Sequence, residues 1–142
     1  MHSKRKGNIG QFAAALELAK FGYSVFTEEG DISKIDLIAE KEGVLLRVQC
    51  KAVMPKNGCI TLNVRKCGPN YVYRYKKEHI DLFSLYNLVT ERVYFIQSSI
   101  LNDIKSGFSL RVDKAEKNFK TLFNLAENYT LEKTLVNMGL KL

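Results

Sequence analysis

Residues 35–51 read Ile35-Asp36-Leu37-Ile38-Ala39-Glu40-Lys41-Glu42-Gly43-Val44-Leu45-Leu46-Arg47-Val48-Gln49-Cys50-Lys51. Two strand-like runs, Ile35–Glu40 and Val44–Ala52, flank the turn Lys41-Glu42-Gly43, and this pattern predicts a β-hairpin. Side chains alternate along a strand. Leu46, Val48 and Cys50 therefore share one face, and Leu45, Arg47, Gln49 and Lys51 the other. Paired strands lie about 4.8 Å apart, so Asp36, an acid among apolar residues, can approach Gln49 and Lys51. An acid, a side-chain oxygen and a lysine at the end of a small sheet suit a Mg²⁺ and phosphate site. Hard divalent cations take oxygen ligands, and Mg²⁺ takes one or two carboxylates together with phosphate and water.

Upstream, residues 8–21 predict an amphipathic helix with Ile9, Phe12, Ala13, Leu16 and Ala19 as its apolar face. Gly22 is placed to end it. Tyr23–Thr27 is a short strand and Glu29-Gly30-Asp31 a turn. Downstream, Asn57-Gly58 marks a turn, and Cys59–Arg65 alternates with Ile60, Leu62 and Val64 on one side. Cys67-Gly68-Pro69-Asn70 is a loop and Tyr71–Tyr75 a short extended piece. Leu82–Tyr86 and Arg92–Gln97 are two further strands, and Ser98-Ser99 caps a helix at Ile100–Lys105. After Asp113 the texture is helical, with apolar stripes at Phe119, Leu122, Phe123 and Ala126 and at Leu131, Leu135 and Met138. The fold class is α/β. Residues 1–112 are expected to form the core, and 113–142 a C-terminal helical extension. That extension either finishes the core or docks another subunit, and subunit contact is the favoured reading.

The chain has 142 residues, 46% hydrophobic and 26% charged, which fits one globular domain rather than a disordered segment. No apolar run approaches the ~20 residues of a membrane helix. The basic start, Lys4-Arg5-Lys6, is not followed by the apolar stretch of a secretion signal. Cys50, Cys59 and Cys67 are odd in number and lack Cys-x-x-Cys spacing, against a disulfide scaffold or a cysteine zinc site. A reducing cytoplasm is the expected compartment, with no membrane partner.

The formal charge is +7. The window 51–77 holds Lys51, Lys56, Arg65, Lys66, Arg74, Lys76 and Lys77 and no acid, so the excess is concentrated there. Such a concentration points to a polyanion, most often nucleic acid.

Gly10-Gln11, Gly22-Tyr23, Gly30-Asp31, Ile35-Asp36-Leu37-Ile38 and Arg47-Val48-Gln49-Cys50-Lys51 together resemble the PD-(D/E)XK nuclease pattern. That pattern is a helix with an acid, a strand acid, then (D/E)-x-K on the next strand. Val-Gln-x-Lys resembles the branch holding archaeal Holliday-junction-resolvase-like enzymes and cyanobacterial group I intron homing endonucleases. Glu78-His79-Ile80-Asp81-Leu82-Phe83 and Arg92-Val93-Tyr94-Phe95-Ile96 look like the homing group. The resemblance covers about residues 5–100. It implies a restriction-endonuclease-like core, a mixed central sheet flanked by helices. It also implies the roles. Asp36 binds Mg²⁺ (or Mn²⁺) and meets the scissile phosphate. Gln49 is an auxiliary metal ligand or orients the attacking water. Lys51 stabilises phosphoryl charge and helps position or deprotonate the water.

The chain departs from the pattern at two places. Gln49 replaces the third acid, a change known in this branch. Gln11 stands where the family has a helix Glu that binds metal, and so removes a negative charge from the set Gln11, Asp36 and Gln49. Weak Mg²⁺ binding and much reduced cleavage are expected, as in a variant inactivated by Glu→Gln.

A two-stranded ribbon over about residues 53–75 is expected to read DNA, since such a ribbon fits the major groove. Thr61, Asn63 and Arg65 share one face and are placed to meet base edges. Lys56, Lys66, Arg74, Lys76 and Lys77 are expected on phosphates, supplying salt-dependent affinity. A double-strand cut needs two sites facing opposite strands, hence a homo-oligomer, a dimer or tetramer. Two other readings stay open: a Holliday-junction resolvase on the same fold, and a non-catalytic DNA-binding module. Mg²⁺ titration after Gln11→Glu separates the module from both enzymes.

Overall fold

The computed structural model describes residues 1–30, 32–113 and 124–142. Helix α1 (Ser3–Lys20) is followed by strands β1 (Ser24–Thr27), β2 (Leu37–Lys41), β3 (Val44–Val53), β4 (Cys59–Asn63), β5 (Arg65–Gly68), β6 (Tyr71–Arg74), β7 (Leu82–Asn87), β8 (Val93–Gln97) and β9 (Gly107–Arg111), then helix α2 (Leu131–Asn137). The expected mixed sheet is present, in the order β1-β2-β3-β7-β8. Within this sheet β3 and β7 pair in parallel, with Val48 opposite Leu82 and Lys51 opposite Leu85. The hairpin of β2 and β3 turns at Glu42 and Gly43, whose φ values of 50° and 84° belong to the two-residue turn that matches strand twist. Its register sets Leu37 against Val48, which fixes Asp36 beside Gln49.

Each face of this sheet is covered. On one side α1 and α2 close a core of Ala14, Leu18, Leu37, Leu46, Val48, Leu82, Phe95, Leu131 and Leu135. On the other, Ile60, Leu62, Tyr75, Phe83, Leu85, Ile96 and Leu110 form a second core beneath β4 and β9. Residues on β3 and β7 feed both, as the alternation along β3 requires.

The structure corrects the expected face of α1. Its buried residues are Gly10, Ala14 and Leu18, whereas Phe12 is 69% and Leu16 59% exposed. Both stripes are apolar, and the narrow one wins because it lets the helix lie close to β3. A Cβ on Gly10 would come within 3.1 Å of the Ala52 Cβ.

The expected ribbon is also rearranged. β4 does not pair within its own segment but with β9, a strand the sequence reading passed over. β5 and β6 form a separate hairpin, with Arg65 opposite Arg74. Val64 lies between the two units, its N–H on the Ser106 carbonyl, so Arg65 does not continue the ladder of Thr61 and Asn63. The helix expected at Ile100–Lys105 is a 3₁₀ turn at Ser98–Asn102.

At the C-terminus, Leu131 and Leu135 take the first of their two possible roles and close the core of their own chain. The Thr134 hydroxyl anchors α2 by donating to the Phe95 carbonyl at 2.7 Å. Phe119, Leu122 and Phe123 lie outside the described residues. Among the described residues no helix is long and apolar enough to cross a membrane, and Cys50, Cys59 and Cys67 are free thiols.

Candidate active site

Asp36 sits where the chain enters β2, its N–H held by the Val48 carbonyl at 2.9 Å. Its Oδ2 accepts the Cys50 backbone N–H at 2.7 Å and the Gln49 Nε2 at 2.8 Å. One oxygen is thereby fixed by two donors of β3, and the carboxylate is aimed by the hairpin register itself. Gln49 is only 7% exposed. Among the described residues its Oε1 is buried without a hydrogen-bond partner, an uncommon state, because a buried acceptor left unpaired costs about 1–3 kcal/mol. Gln11, half-buried on α1, reaches the Asp36 carbonyl with its Nε2 at 3.5 Å. Asp36, Gln49 and Gln11 are thus brought to one place, as the motif requires.

They line a cleft of about 430 Å³, together with Lys4, Asn8 and Glu28. Glu28 escaped the sequence reading. Its carboxylate accepts the Ser33 Oγ and N–H, both at 2.9 Å, and the Ile32 N–H at 3.2 Å. The Ser33 hydrogen bonds hold the Glu28 pKa below its usual value. The spacing from Glu28 to Ser33 was its only sequence signal. A larger recess, about 640 Å³, lies further along α1 near Leu16, Val93 and Ala126. It is lined by none of the motif residues.

Lys51 follows Gln49 on the same face of β3, with its Nζ 5.2 Å from the centre of the Tyr75 ring. Burial pulls the Lys51 pKa down, and the negative charge of Asp36 opposes that shift. Cys50, between them, faces the α1 side, where burial pushes its thiol up to about 12. It remains protonated and is no nucleophile at neutral pH.

The oxygen donors fit a hard divalent cation in kind. Asp36 supplies a carboxylate, Gln49 an unpartnered buried amide oxygen, and Gln11 a further amide. In charge the set is lean. Among the described residues no group of three or more His, Cys, Asp or Glu side chains converges on one point.

Arg47 and Asp81 hold the frame. The Asp81 carboxylate accepts the Arg47 backbone N–H and Nε, both at 2.8 Å, and Nη2 at 2.9 Å. The Asp81 N–H returns a bond to the Arg47 carbonyl. This clamp joins the middle of β3 to the start of β7 and sets their parallel register. The Arg47 guanidinium lowers the Asp81 pKa.

The residues expected on DNA fall into three places. Thr61 and Asn63 lie on β4, where the Thr61 hydroxyl meets the Ser109 hydroxyl at 2.8 Å, which adds Ser109 to that polar face. Lys56 stands in the turn before β4, while Arg65 and Lys66 are exposed on β5 and Lys76 and Lys77 after β6. Arg74 donates from Nη2 to the carbonyls of Leu101 and Ile104, the latter at 2.7 Å. Its guanidinium is tied to the fold.

Residues 1–132 match the family described as PD-(D/E)XK endonuclease. Among solved structures, the bacterial homing endonuclease I-Ssp6803I is similar, with a TM-score of 0.76 and 22% identity over 98% of this chain and 95% of that one. No curated protein matches the chain.

Proposed function

The chain belongs to the PD-(D/E)XK endonuclease family, and from that premise we propose that it is a site-specific, Mg²⁺-dependent (or Mn²⁺-dependent) double-stranded DNA endonuclease of the homing type, weakened by Gln11. The observation that carries this reading is the Asp36 carboxylate fixed by Gln49 and the Cys50 N–H, with Lys51 two residues on and the unpartnered Gln49 oxygen beside them. The likeness to a bacterial homing endonuclease along nearly the whole chain supports the homing assignment.

Asp36, Gln49 and Gln11 are the residues that would hold the cation. When bound, the cation lowers the pKa of a water and offsets phosphoryl charge. The chain's own residues do the rest. The Asp36 carboxylate, aimed by the Gln49 and Cys50 donors, supplies the negative charge of the set. Lys51, partly desolvated, places a positive charge against the developing negative one, which acts strongly where water is excluded. Thr61, Asn63 and Ser109 on the paired strands β4 and β9 meet base edges. Lys56, Arg65, Lys66, Lys76 and Lys77 meet phosphates. Arg74 meets phosphate through its Nε and Nη1, since its Nη2 is held by the Leu101 and Ile104 carbonyls.

The working particle is a homo-oligomer, because one site cuts one strand. The C-terminal segment contributes through outward residues such as Val136, which is exposed, and not through Leu131 or Leu135.

The test is cleavage of a random duplex library with Mg²⁺, by this chain and by Gln11→Glu side by side. Cleavage at one enriched sequence, much faster with Glu at this position, is the expected result. Cleavage of four-way junctions but not of duplex would replace this reading with a resolvase. DNA binding without any cleavage by either protein would replace it with a non-catalytic module.

A further inference from the structure

Beside Asp36, on the face of the sheet away from α1, three lysines from three separate elements meet over two tyrosines. Tyr73 and Tyr75 pack edge to face with their ring centres 5.3 Å apart, and Tyr75 is locked against Phe83 at 5.6 Å. Tyr75 is 1% exposed, so this platform is part of the core. Lys34, in the loop before β2, sets its Nζ 4.8 Å above the Tyr73 ring. Lys51, on β3, sets its Nζ 5.2 Å from the Tyr75 ring. Lys66, on β5, is the register partner of Tyr73 across the β5–β6 hairpin. The three sense one another. Lys34 and Lys66 both act on Lys51, and both act on the Tyr75 phenol. Among the described residues, Asp36 is the one carboxylate whose charge reaches this group.

We propose that Lys34, Lys51 and Lys66 form a seat for a DNA phosphodiester next to the Asp36 cleft, with Lys34 as the member that lies outside the motif and outside the basic window. The proposal rests on the endonuclease reading above. Three ammonium groups facing one carboxylate leave an excess of positive charge. Like charges gathered on a rigid aromatic platform repel one another until an anion joins them. Lysine is a compact donor well suited to a phosphate oxygen. The platform holds the ammoniums while the strand is absent, so the seat is present before the DNA arrives.

The experiment measures binding of the full chain to a labelled duplex by fluorescence anisotropy, without divalent cation, across a series of salt concentrations. Each phosphate contact contributes about 0.9 to the slope of log K against log salt. Because the lysines share one phosphate, Lys34→Gln and Lys66→Gln together are expected to lower that slope by about 0.9, each alone by part of it, and each to weaken binding most at low salt. Lys34→Arg keeps the charge and is expected to keep the wild-type slope, which also shows that the loop tolerates substitution. Lys141→Gln is the control, since Lys141 borders a recess with Lys41 and Glu42, at the hairpin turn remote from Asp36. An unchanged slope for Lys34→Gln, or an equal fall for Lys141→Gln, overturns the seat. A wild-type chain that does not bind duplex at all overturns the endonuclease reading, and the seat falls with it. Normal wild-type binding with an unaffected Lys34→Gln removes the seat alone.

Discussion

Cys50 and Lys51 are neighbours in β3, and burial acts on both, but they face opposite sides of the sheet. Cys50 looks toward α1 into a core with Leu46 and Val48. Lys51 looks away from α1, beside Asp36 and Tyr75. Burial favours the neutral form in each case, so it raises the thiol to about 12 and lowers the lysine. One of these groups is thereby silenced, while the other keeps a carboxylate close enough to hold its proton. The difference teaches that the site is made by register rather than by composition. A single strand supplies an apolar wall with alternate residues and a polar edge with those between them. Variants on the two faces should therefore separate activity from stability.

The largest effect is expected on the Lys51 face. Asp36→Asn keeps an oxygen to accept the Gln49 and Cys50 donors and loses the charge. Cleavage by the Gln11→Glu form should fall about 10³-fold, or ~4 kcal/mol of transition-state stabilisation, with an unchanged urea midpoint. An equal loss of stability and activity would mean that Asp36 is a structural acid. On the α1 face the pattern should invert. Leu46→Ala removes a side chain that is 4% exposed in the core under α1 and should cost about 2–4 kcal/mol in urea melts. Its DNA affinity, measured under folding conditions, should stay within twofold.

How much of this could be read from the chain alone follows the same division. The β2–β3 hairpin was legible because its alternation, its two-residue turn and its acid all lie within residues 35–51. The meeting of Asp36 and Gln49 was legible for the same reason, since register alone brings them together. The face of α1 was misread because the helix is apolar on more than one side. Nothing local says that Gly10, Ala14 and Leu18 outrank Phe12 and Leu16, and the deciding fact is the closeness of Ala52, far along the chain. The β4–β9 pairing was hidden for a related reason. Thr61 meets Ser109 across a long stretch of sequence, and short strands paired at such a distance leave no turn signal between them. Lys34 was passed over because its partner is an aromatic ring on β6 rather than a residue of the motif.

The Arg47–Asp81 clamp belongs to neither face and tests whether the frame itself matters. The pair is partly exposed, with side-chain exposures of 34% and 29%, so its worth is discounted for solvent screening. Asp81→Asn should cost about 1 kcal/mol at pH 7. Because Arg47 lowers the Asp81 pKa, the folded chain keeps this carboxylate charged where the unfolded one begins to bind a proton. The contribution is complete above the ordinary aspartate range near 3.8 and is lost as pH falls through the lower folded value. Wild type and Asp81→Asn should therefore converge on acidification below that range. A constant gap down to pH 2 would assign the clamp's effect to packing.

The smallest effect returns to the two neighbours, where linkage predicts opposite signs. The folded chain raises the Cys50 pKa from 9.0 to about 12. Between those values the unfolded chain has released a proton that the folded chain retains, so this residue's contribution to stability erodes as pH rises above 9. For Lys51 the folded value is lowered from 10.5. Below 10.5 there is a window in which the unfolded chain binds more protons, and there the contribution rises with pH. Cys50→Ala should flatten the alkaline loss of stability. Lys51→Met should steepen it, because it removes the gain, and should melt higher than wild type at pH 7, where the buried charge is no longer carried. Melting curves of the three proteins from pH 7 to 11 give both slopes by difference. Two shifts of the same sign would mean that a neighbouring charge rather than burial governs one of the two groups, and would break the comparison, because burial alone raises the thiol and lowers the ammonium.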